Sequence, residues 1–388
     1  MTTRTLNVRN PRHGAIDYHI TAAGPEEISV KAQSLREAQR SWAARSLQDR
    51  GDALLRLADA LTRHHTAITR ALEIDTGRRR IAGLELAGVV GSLRGWAAQG
   101  PHLLPSGWTE GRTMPHIRHA PHFMPYALTG VISPWNFPLT LSMIDTVPAL
   151  LAGSAVLIKP SEVTPRFVAP LEVAIAEAGL KDVLAIMTGD GATGAALIEA
   201  VDVICFTGSV ATGRKVAAAA ANRMIPAFLE LGGKDPMIVT ASADLEKATD
   251  AALRGSVLST GQACQSIERI YVDAKIHDAF LARLTEKAAA VRLNWPDITS
   301  GDLGPIIFDR QADTLADQID DAKAKGAVVL TGGEIETHGG GLWLRPTVLS
   351  HVSHQMKVMT EETFGPILPV MSFAALSEAI TLANDSVY

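Results

Sequence analysis

The chain has 388 residues, a length that accommodates two or three domains. Hydrophobic residues make up 47% of it and charged residues 20%, which is ordinary for a soluble globular protein. The formal net charge is -5, from 36 Lys and Arg residues against 41 Asp and Glu residues. A dedicated nucleic-acid-binding protein is usually basic, so this balance argues against a nucleic-acid partner.

The chain contains two cysteines, Cys205 and Cys264. Two cysteines do not make a disulfide framework, and no cysteine–histidine cluster has the spacing of zinc ligands. We therefore predict no metal site and a reducing, cytoplasmic location. Cys205 lies within a run of apolar residues predicted to be a strand, where a small core residue is expected rather than a reactive thiol.

Neither a targeting segment nor a membrane span is predicted. Residues 1–7 lack the apolar core of a secretory signal. The most apolar stretch, residues 143–158, is interrupted by an aspartate, a proline and a glycine. It is too short and too interrupted to cross a bilayer.

The first third of the chain divides into a polar arm, a helical region and an extended segment. Residues 1–25 are polar and rich in turn formers, which predicts an extended arm. Residues 27–100 have helical periodicity, and the apolar positions from Leu54 to Leu61 recur at i, i+3, i+4 and i+7. That spacing predicts an amphipathic packing helix. Residues 115–131 lose this period and are predicted to be extended.

From residue 127 onward, short apolar strands alternate with helices, which predicts an α/β protein with mostly parallel sheets. The first series has predicted strands at 127–133, 154–158, 183–187 and 201–207, with helices after Pro138 and at 165–178, 192–200 and 211–221. The second series has predicted strands at 236–239, 269–272, 328–330 and 368–373, with helices at 245–259, 277–291, 311–324 and 375–384. We expect the boundary between the two halves near Gly232-Gly233.

Ligands of such sheets bind at the carboxyl ends of the strands, so the residues that follow each strand are the first candidates. Asn136 follows the first strand and offers an amide donor to a developing oxyanion, although an Asn in this position is more often a turn residue. Lys159 and Glu162 follow the second strand and could hold the two ribose hydroxyls of a nucleotide. A carboxylate there would repel a 2′-phosphate and favour NAD over NADP. The alternative is a helix start capped by Ser161.

A glycine-containing loop follows each of the next two strands. The third strand is followed by Gly189-Asp-Gly191, and the fourth by the run Phe206-Thr-Gly-Ser-Val-Ala-Thr-Gly213. A Gly-Ser loop that opens a helix can bind phosphate, because N–H groups and the helix dipole point at the anion. The spacing matches neither G-x-G-x-x-G nor a P-loop, so on its own this signal is weak.

Two further stretches contain groups suited to catalysis. Glu230 precedes two glycines, and a carboxylate can act as a general base. Cys264 lies among small and polar residues, and a thiolate can act as a nucleophile. Further on, Glu362 and Phe364 occur in a turn-rich segment that is either structural or in contact with a cofactor.

Taken together, these motifs resemble those of the aldehyde dehydrogenase superfamily, in the family's order and at comparable spacing. The resemblance runs from about residue 30 to Tyr388 and rests on PWNFP, KPSE, FTGSxxTG, ELGGKDP, GQxC and EETFGP. The run that begins at Cys264, CQSIERIYV, resembles the broad-substrate bacterial branch, near the enzymes that act on succinic semialdehyde or on apolar aldehydes. Thr363 departs from the pattern, because a larger apolar residue is more usual there.

The resemblance implies a mechanism and a set of cofactor contacts. It implies Cys264 as the nucleophile that forms a thioester, Asn136 as an oxyanion donor, and Glu230 as the base that activates water for hydrolysis to the acid. The cofactor is expected to be NAD, with NADP less favoured. The residues implied in cofactor binding are Ile132, Trp135, Lys159, Ser161, Glu162, Gly191, Phe206, Thr207, Gly208, Ser209, Gly213, Leu231, Gly232, Glu362 and Phe364.

The resemblance also implies an architecture of two Rossmann-like parallel-sheet domains with a small oligomerisation extension. Residues 1–114 and 132–232 would form the NAD-binding domain, residues 115–131 the oligomerisation strands, and residues 233–388 the catalytic domain. Family members continue past residue 388, so we expect an incomplete catalytic domain, lacking the C-terminal part. The expected assembly is a homodimer or homotetramer at full length.

Two alternatives to the aldehyde-oxidising enzyme stay open at this point. The first is a truncated, catalytically silent NAD-binding fragment, suggested by the early end of the chain. The second is transfer of the acyl group to coenzyme A instead of water, which Glu230 argues against because a hydrolytic base suits water as the acceptor.

Overall fold

The computed structural model describes residues 4–103 and 107–388. Two compact units are present. One contains the described residues of Met1–Leu6, His19–Ala71 and Gly83–Glu230, and the other contains Asn7–Tyr18, Leu72–Ala82 and Leu231–Tyr388. The fold class is α/β, as predicted. Among the helices that the structure describes, none is long and apolar enough to cross a membrane.

Two small ribbons lie outside the main sheets. The segment predicted as an extended arm contains β1 (Arg4–Arg9) and β2 (Ile16–Ala22), which pair as a two-stranded sheet. Further along, β3 (Thr109–Glu110) pairs antiparallel with β4 (Arg118–His119). The second of these strands falls in the segment 115–131 that was predicted to be extended.

The region predicted to be helical is helical. It contains α1 (Pro25–Ala43), α2 (Leu47–Arg63), α3 (His65–Thr76) and α4 (Arg79–Leu103). Helix α2 begins with a capping box, in which Ser46 Oγ accepts from the Asp49 N–H at 3.1 Å and Asp49 Oδ2 accepts from the Ser46 N–H at 3.3 Å. The stripe of Leu54, Leu57, Ala58 and Leu61 is fully buried, so the predicted packing helix is confirmed.

The first sheet is wholly parallel, in the order β7-β6-β5-β8-β9. Its strands are β5 (Leu128–Ile132), β6 (Ala155–Lys159), β7 (Leu184–Ile186), β8 (Val203–Thr207) and β9 (Ala227–Glu230). The helices that connect them are α5 (Pro138–Met143), α6 (Thr146–Ala152), α7 (Val168–Glu177), α8 (Gly191–Ala200) and α9 (Val210–Asn222). The chain moves outward from β5 through β6 to β7, and then returns to place β8 on the other side of β5. This reversal is the point at which doubly wound sheets bind ligands.

The second sheet has the order β10-β11-β16-β15-β12, and β12 is its antiparallel strand. Its strands are β10 (Asp235–Val239), β11 (Ile267–Asp273), β12 (Val328–Thr331), β15 (Thr347–Ser350) and β16 (Ile367–Phe373), and a hairpin of β13 (Ile335–His338) and β14 (Gly341–Leu344) precedes β15. The helices of this unit are α10 (Leu245–Val257), α11 (His277–Ala289), α12 (Asp309–Ala324), α13 (Lys357–Thr360) and α14 (Leu376–Asn384).

Helices cover both faces of the second sheet. Successive residues of a strand point to opposite faces, so neighbouring residues of β11 pack against different helices. On β11, Tyr271 belongs to a buried cluster with Leu315 of α12. Its neighbour Ile270 belongs to a different cluster, with Phe280 and Leu284 of α11. All five side chains are fully buried.

The boundaries of several elements differ from the predicted ones. Helix α10 ends at Val257, because Ser259 and Thr260 both have a φ of 62°, which no α-helix tolerates. Helix α7 begins at Val168 rather than at residue 165. Strand β9 was not predicted. It is short and lies at an edge with alternating half-buried and exposed residues, so it lacks the apolar run of its neighbours.

Candidate active site

In the first unit, the predicted site residues collect at one edge of the parallel sheet. Strands β5, β6, β8 and β9 end at Ile132, Lys159, Thr207 and Glu230. The register pairs Ile132 with Lys159 on one side and with Phe206 on the other, and pairs Thr207 with Glu230. The carboxyl ends of these four strands therefore lie side by side, and the loops that follow them meet at the same edge.

Asn136 lies in the turn between β5 and α5 and is buried, with 2% of its surface exposed. Thr164 Oγ1 donates to the Trp135 carbonyl at 3.1 Å. The carboxylate of Glu85 in α4 accepts the Leu139 N–H at 3.1 Å and the Thr140 N–H at 3.2 Å, so it caps α5 from outside. Sequence reasoning missed Glu85, because it lies 54 positions before Leu139, whose N–H it accepts.

Lys159 and Glu162 are hydrogen-bonded to each other after β6. Lys159 Nζ donates to Glu162 Oε2 at 3.2 Å and to the Gly189 carbonyl at 2.8 Å. The lysine is buried, whereas the Glu162 side chain is 40% exposed. Ser161 Oγ accepts the Val163 N–H at 3.2 Å, in the same turn. The alternative of Ser161 as a helix cap is wrong, because α7 starts at Val168 and its N-cap position is Phe167.

The loop after β8 leads directly into α9. Ser209 is the N-cap of that helix, and its Oγ accepts the Thr212 N–H at 3.3 Å. A Cβ at Gly208 would press against the Phe206 ring, so this position requires glycine. The Gly208 N–H donates to the Glu230 carbonyl at 3.0 Å, which ties the loop to the end of β9. Gly213 is buried in the first turn of α9.

The loop after β7 differs from the loop after β8, because the N-cap residue of its helix is an aspartate and not a serine. Gly191 is the first residue of α8, and Asp190 caps it by accepting the Ala192 N–H at 2.9 Å. Asp190 also pairs with Arg4 at 2.6 Å. The positive end of α8 is thus already occupied by a side-chain anion, unlike that of α9, where the capping group is a neutral hydroxyl.

Two groups near the Glu230 end of the sheet, the half-buried Asp145 and the buried Cys205, have raised pKa values. Burial and the neighbouring charge of Glu230 raise the pKa of Asp145. Burial and, secondarily, Asp145 raise the pKa of the Cys205 thiol to about 12. Cys205 is 8% exposed in β8. A buried thiol that resists ionisation fits the predicted core role of Cys205.

In the second unit, Cys264 follows a strained loop. Ser259, Thr260 and Gly261 have φ values of 62°, 62° and 64°. Non-glycine residues with positive φ are uncommon, and such strain persists only where the surroundings hold it. Arg78 provides part of this support, since its guanidinium donates to both the carbonyl and the hydroxyl of Ser259. Cys264 itself is partly exposed.

Gln262, two positions before Cys264, holds the loop in place through hydrogen bonds to the backbone of residues 305 and 307. Its side chain is fully buried, its Oε1 accepts the Ile307 N–H at 2.9 Å, and its Nε2 donates to the Pro305 carbonyl at 3.2 Å. On the other side of Cys264, the Ser266 N–H donates to the Ala263 carbonyl at 3.1 Å, which closes a tight turn around the cysteine.

The glycine pair that follows Leu231 lies between two candidate groups. A Cβ at Gly232 would overlap the Glu362 carboxylate, which explains the glycine at this position. A Cβ at Gly233 would come within 2.9 Å of Asp235 Oδ1, and the Cys264 carbonyl would lie at an ordinary contact distance of 3.5 Å. Burial and, secondarily, the charge of Glu268 raise the pKa of Glu362 to about 7, while the Gly233 N–H opposes the shift.

A buried polar network that the sequence did not reveal supports the segment from Glu362 to Phe364. Lys234 Nζ forms an ion pair with Glu268 at 2.9 Å, and it also donates to Thr363 Oγ1 at 2.6 Å. The sequence marked Thr363 only as a mild departure from a family pattern. In the structure, Thr363 is fully buried, and its hydroxyl belongs to this network. Within the described residues, no cluster of His, Cys, Asp and Glu has the arrangement of a metal site.

With this geometry in place, comparisons with known proteins identify the class. The model of the aldehyde dehydrogenase family matches residues 1–388, and the chain belongs to that family. It is 37% identical over 366 residues to a protein of Mycolicibacterium smegmatis provisionally named succinate-semialdehyde dehydrogenase (NADP(+)), with 94% of this chain and 71% of that protein covered.

Solved structures agree with this assignment. A provisionally named aldehyde dehydrogenase, PutA from Anabaena variabilis, superimposes with a TM-score of 0.97 at 50% identity, covering 99% of this chain and 82% of the other. Lactaldehyde dehydrogenase from Escherichia coli superimposes with a TM-score of 0.94 at 32% identity, covering 99% and 81%. The aldehyde-dehydrogenase fold predicted from the sequence is therefore confirmed.

The family assignment supports oxidation of an aldehyde with NAD or NADP. It does not favour the alternative of a silent cofactor-binding fragment, because the family match extends over the whole chain. The relatives do not favour the expected NAD over NADP, since the protein from M. smegmatis carries NADP(+) in its name.

Proposed function

We propose that this chain oxidises an aldehyde to the carboxylic acid through a thioester on Cys264. The observation that carries the proposal is the loop of three left-handed residues, 259–261, just before this cysteine. Backbone strain of this kind clusters at catalytic sites, where the surrounding structure holds a reactive group in one orientation. The buried Gln262 and Arg78 provide that restraint.

The chemistry assigns one role to each of three side chains. Cys264 Sγ, as thiolate, attacks the carbonyl carbon and forms a C–S bond, while the amide of Asn136 stabilises the resulting oxyanion. The nicotinamide cofactor supplies the acceptor for the hydride that leaves this carbon. Glu230 then takes a proton from water, the hydroxide attacks the thioester carbon, and the C–S bond breaks to release the acid and the thiolate.

The strand ends of the first unit have the donor set that a dinucleotide requires. Lys159 and Glu162 would hold the adenosine ribose, and the N-terminus of α9 at Ser209 would face the phosphates, where the capping group is uncharged. Trp135 would lie near the phosphates. In the second unit, Glu362 would accept the hydroxyls of the nicotinamide ribose. Of the remaining predicted cofactor residues, Ile132, Ser161, Gly191, Phe206, Thr207, Gly208 and Gly213 lie along the first sheet edge, and Leu231, Gly232 and Phe364 belong to the second unit.

We further propose NAD as the preferred cofactor. The half-exposed Glu162 carboxylate would repel a 2′-phosphate, and Lys159 is already hydrogen-bonded to Glu162 and to a carbonyl. The domain boundaries near residue 232, the assembly through residues 115–131 and the reducing compartment stay predictions.

Succinic semialdehyde is the first aldehyde to test as the substrate, because the relative from M. smegmatis is named after it.

The test is to incubate the protein with NAD or NADP and a panel of aldehydes, and to follow the reduced cofactor and the acid. We expect reduction that depends on the aldehyde and is lost in Cys264→Ala. Product analysis with and without coenzyme A distinguishes hydrolysis from acyl transfer. Failure to reduce either cofactor with any aldehyde, or full activity in Cys264→Ala, would overturn the proposal.

A further inference from the structure

The second unit buries a charged pair that the proposed chemistry does not use. The side chains of Lys234 and Glu268 are 0% and 3% exposed, and their atoms Nζ and Oε2 are 2.9 Å apart. Removing two charges from water is costly, so a buried pair needs further hydrogen bonds to be retained.

The Glu268 carboxylate uses both oxygens on the segment that carries Glu362. Its Oε2 accepts the Thr363 N–H at 2.7 Å, and its Oε1 accepts the Phe364 N–H at 2.7 Å. Two adjacent backbone amides bound by one carboxylate make a short, charge-assisted and directional contact. Phe364 has a φ of 53°, an uncommon conformation for an aromatic residue that its surroundings must maintain.

Neutral side chains complete the support from other directions. Thr363 Oγ1 accepts from Lys234 and donates to Gln318 Oε1 at 2.9 Å, and Gln318 Nε2 donates to the Glu362 carbonyl at 3.0 Å. Gln311 Nε2 donates to the Thr363 carbonyl at 2.7 Å. The backbone from Glu362 to Phe364 is thus bonded through both N–H and carbonyl groups, and Glu268 is the charged centre of these contacts.

We propose that Glu268 is a positioning residue, whose carboxylate binds the Thr363 and Phe364 amides and so fixes the Glu362 carboxylate against the Gly232-Gly233 turn. The cofactor part of this inference rests on the proposed function of Glu362. The positioning itself does not, because it concerns contacts within this chain. Glu268 touches neither substrate nor cofactor in this account.

Because Glu268 is charged, it should also affect the pH dependence of cofactor binding, which a purely structural support would not do. Burial is the largest cause of the raised Glu362 pKa; the charges of Glu268 and Asp235 also raise it, and Lys234 and the Gly233 N–H lower it. Arg269 is a further cation in this region, beside Asp235 and Lys234. Because the ionised carboxylate is the better acceptor of ribose hydroxyls, cofactor affinity should rise with pH through the Glu362 pKa of about 7. Neutralising Glu268 removes one negative neighbour, so the midpoint should move to lower pH.

The first measurement is hydrogen exchange of the protein without cofactor, in Glu268→Gln and in the matched control Glu246→Gln, an exposed carboxylate of the same unit that pairs with Arg283 and Lys287. Glutamine keeps one acceptor oxygen, so one of the two amides loses its bond. We expect at least one of the Thr363 and Phe364 amides to exchange at least about tenfold faster in Glu268→Gln, and neither to change in Glu246→Gln. Unchanged exchange in Glu268→Gln overturns the positioning role whatever the protein's function is.

The second measurement is the dissociation constant of NADH, with NADPH in parallel, from fluorescence between pH 5.5 and 8.5 (roughly one and a half pH units either side of the Glu362 pKa). Glu268→Gln should weaken binding about tenfold at high pH and lower the midpoint, whereas Glu268→Asp keeps the charge, so it should weaken binding without moving the midpoint. If Glu268→Gln does not fold, Glu268→Asp decides the question: unchanged affinity overturns the inference.

Glu362→Gln separates the two proposals. Normal NADH binding in that variant would contradict the proposed role of Glu362 and leave the exchange result standing.

Discussion

Lys159 donates from its ammonium group to the Glu162 carboxylate at 3.2 Å, at the carboxyl end of β6. The lysine is buried and its second bond goes to the Gly189 carbonyl at 2.8 Å, so two acceptors of this chain already engage its charge. In the proposed binding mode, the half-exposed carboxylate is the charge that an incoming adenosine ribose would meet. We propose that this pair determines whether the site prefers NAD or NADP.

Replacing Glu162 with Gln is expected to shift the preference from NAD towards NADP. The substitution removes the repulsion of a 2′-phosphate, and it leaves the Lys159 ammonium available to attract that group. The ratio of kcat/KM for NAD to that for NADP should fall by about tenfold or more. Glu177→Gln, a surface carboxylate in α7 paired with Arg63 and His64, is the matched control and should leave the ratio unchanged. A ratio that Glu162→Gln does not move would contradict the assignment of Glu162.

Replacing Gly232 with Ala should weaken cofactor binding while the fold is retained. The new Cβ would overlap the carboxylate of Glu362, which is the mobile end of a long side chain and can move away. We expect about tenfold weaker NADH binding and little change in the unfolding midpoint. Gly83→Ala, where a Cβ meets nothing within 4 Å, is the control and should stabilise α4 by about 0.5–1 kcal/mol without affecting binding. Equal NADH affinity in both variants would contradict the account.

Removing the cation of the buried pair should destabilise the protein. In Lys234→Met the Glu268 carboxylate stays buried without its ammonium partner, so the free energy of unfolding should fall by about 3–5 kcal/mol. Urea denaturation measures this loss. The exposed Lys247, 3.9 Å from Asp244, provides the comparison, and Lys247→Met should have almost no effect. A loss in Lys234→Met as small as that in Lys247→Met would contradict the expectation that the unpaired Glu268 carboxylate lowers the free energy of unfolding.

The two cysteines should differ in their reaction with iodoacetamide. Cys264 is partly exposed, whereas Cys205 is 8% exposed and burial raises its pKa to about 12, so almost none of it is thiolate at neutral pH. Peptide mass spectrometry at pH 8 should find alkylation at Cys264 alone, and the urea-unfolded protein should be labelled at both. Comparable labelling of Cys205 in the folded protein would be inconsistent with its core position.

The sequence predicted the strand ends because their signal is local. An apolar run followed by polar or glycine residues marks both the strand and its carboxyl end, and this holds for Lys159, Thr207 and Ser209. The same reasoning missed β9, because its short, half-exposed run has no such contrast. Glu230 was therefore selected as a carboxylate in a motif, without the strand that positions it beside Thr207.

The supporting side chains could not be predicted in this way. Glu268 binds the amide of Thr363, which lies 95 positions further along the chain, and Lys234 binds the Thr363 hydroxyl across 129 positions. These partners meet because β10, β11 and β16 are neighbours in one sheet, and Lys234 and Thr363 lie just before β10 and β16; no local pattern contains this relation. The same holds for Glu85, which caps a helix in a different part of the first unit.

The most direct test of the central claim is to trap the acyl group on the enzyme. Glu230→Gln removes the proposed hydrolytic base and should lower kcat by about a hundredfold or more, while the steps before hydrolysis continue. Mixed with NAD or NADP and an aldehyde that the unmodified protein oxidises, this variant should form reduced cofactor in an amount close to that of enzyme. Mass spectrometry should then locate the matching acyl group on Cys264. Stoichiometric cofactor reduction without an acyl group on Cys264, or full turnover in Glu230→Gln, would contradict the account.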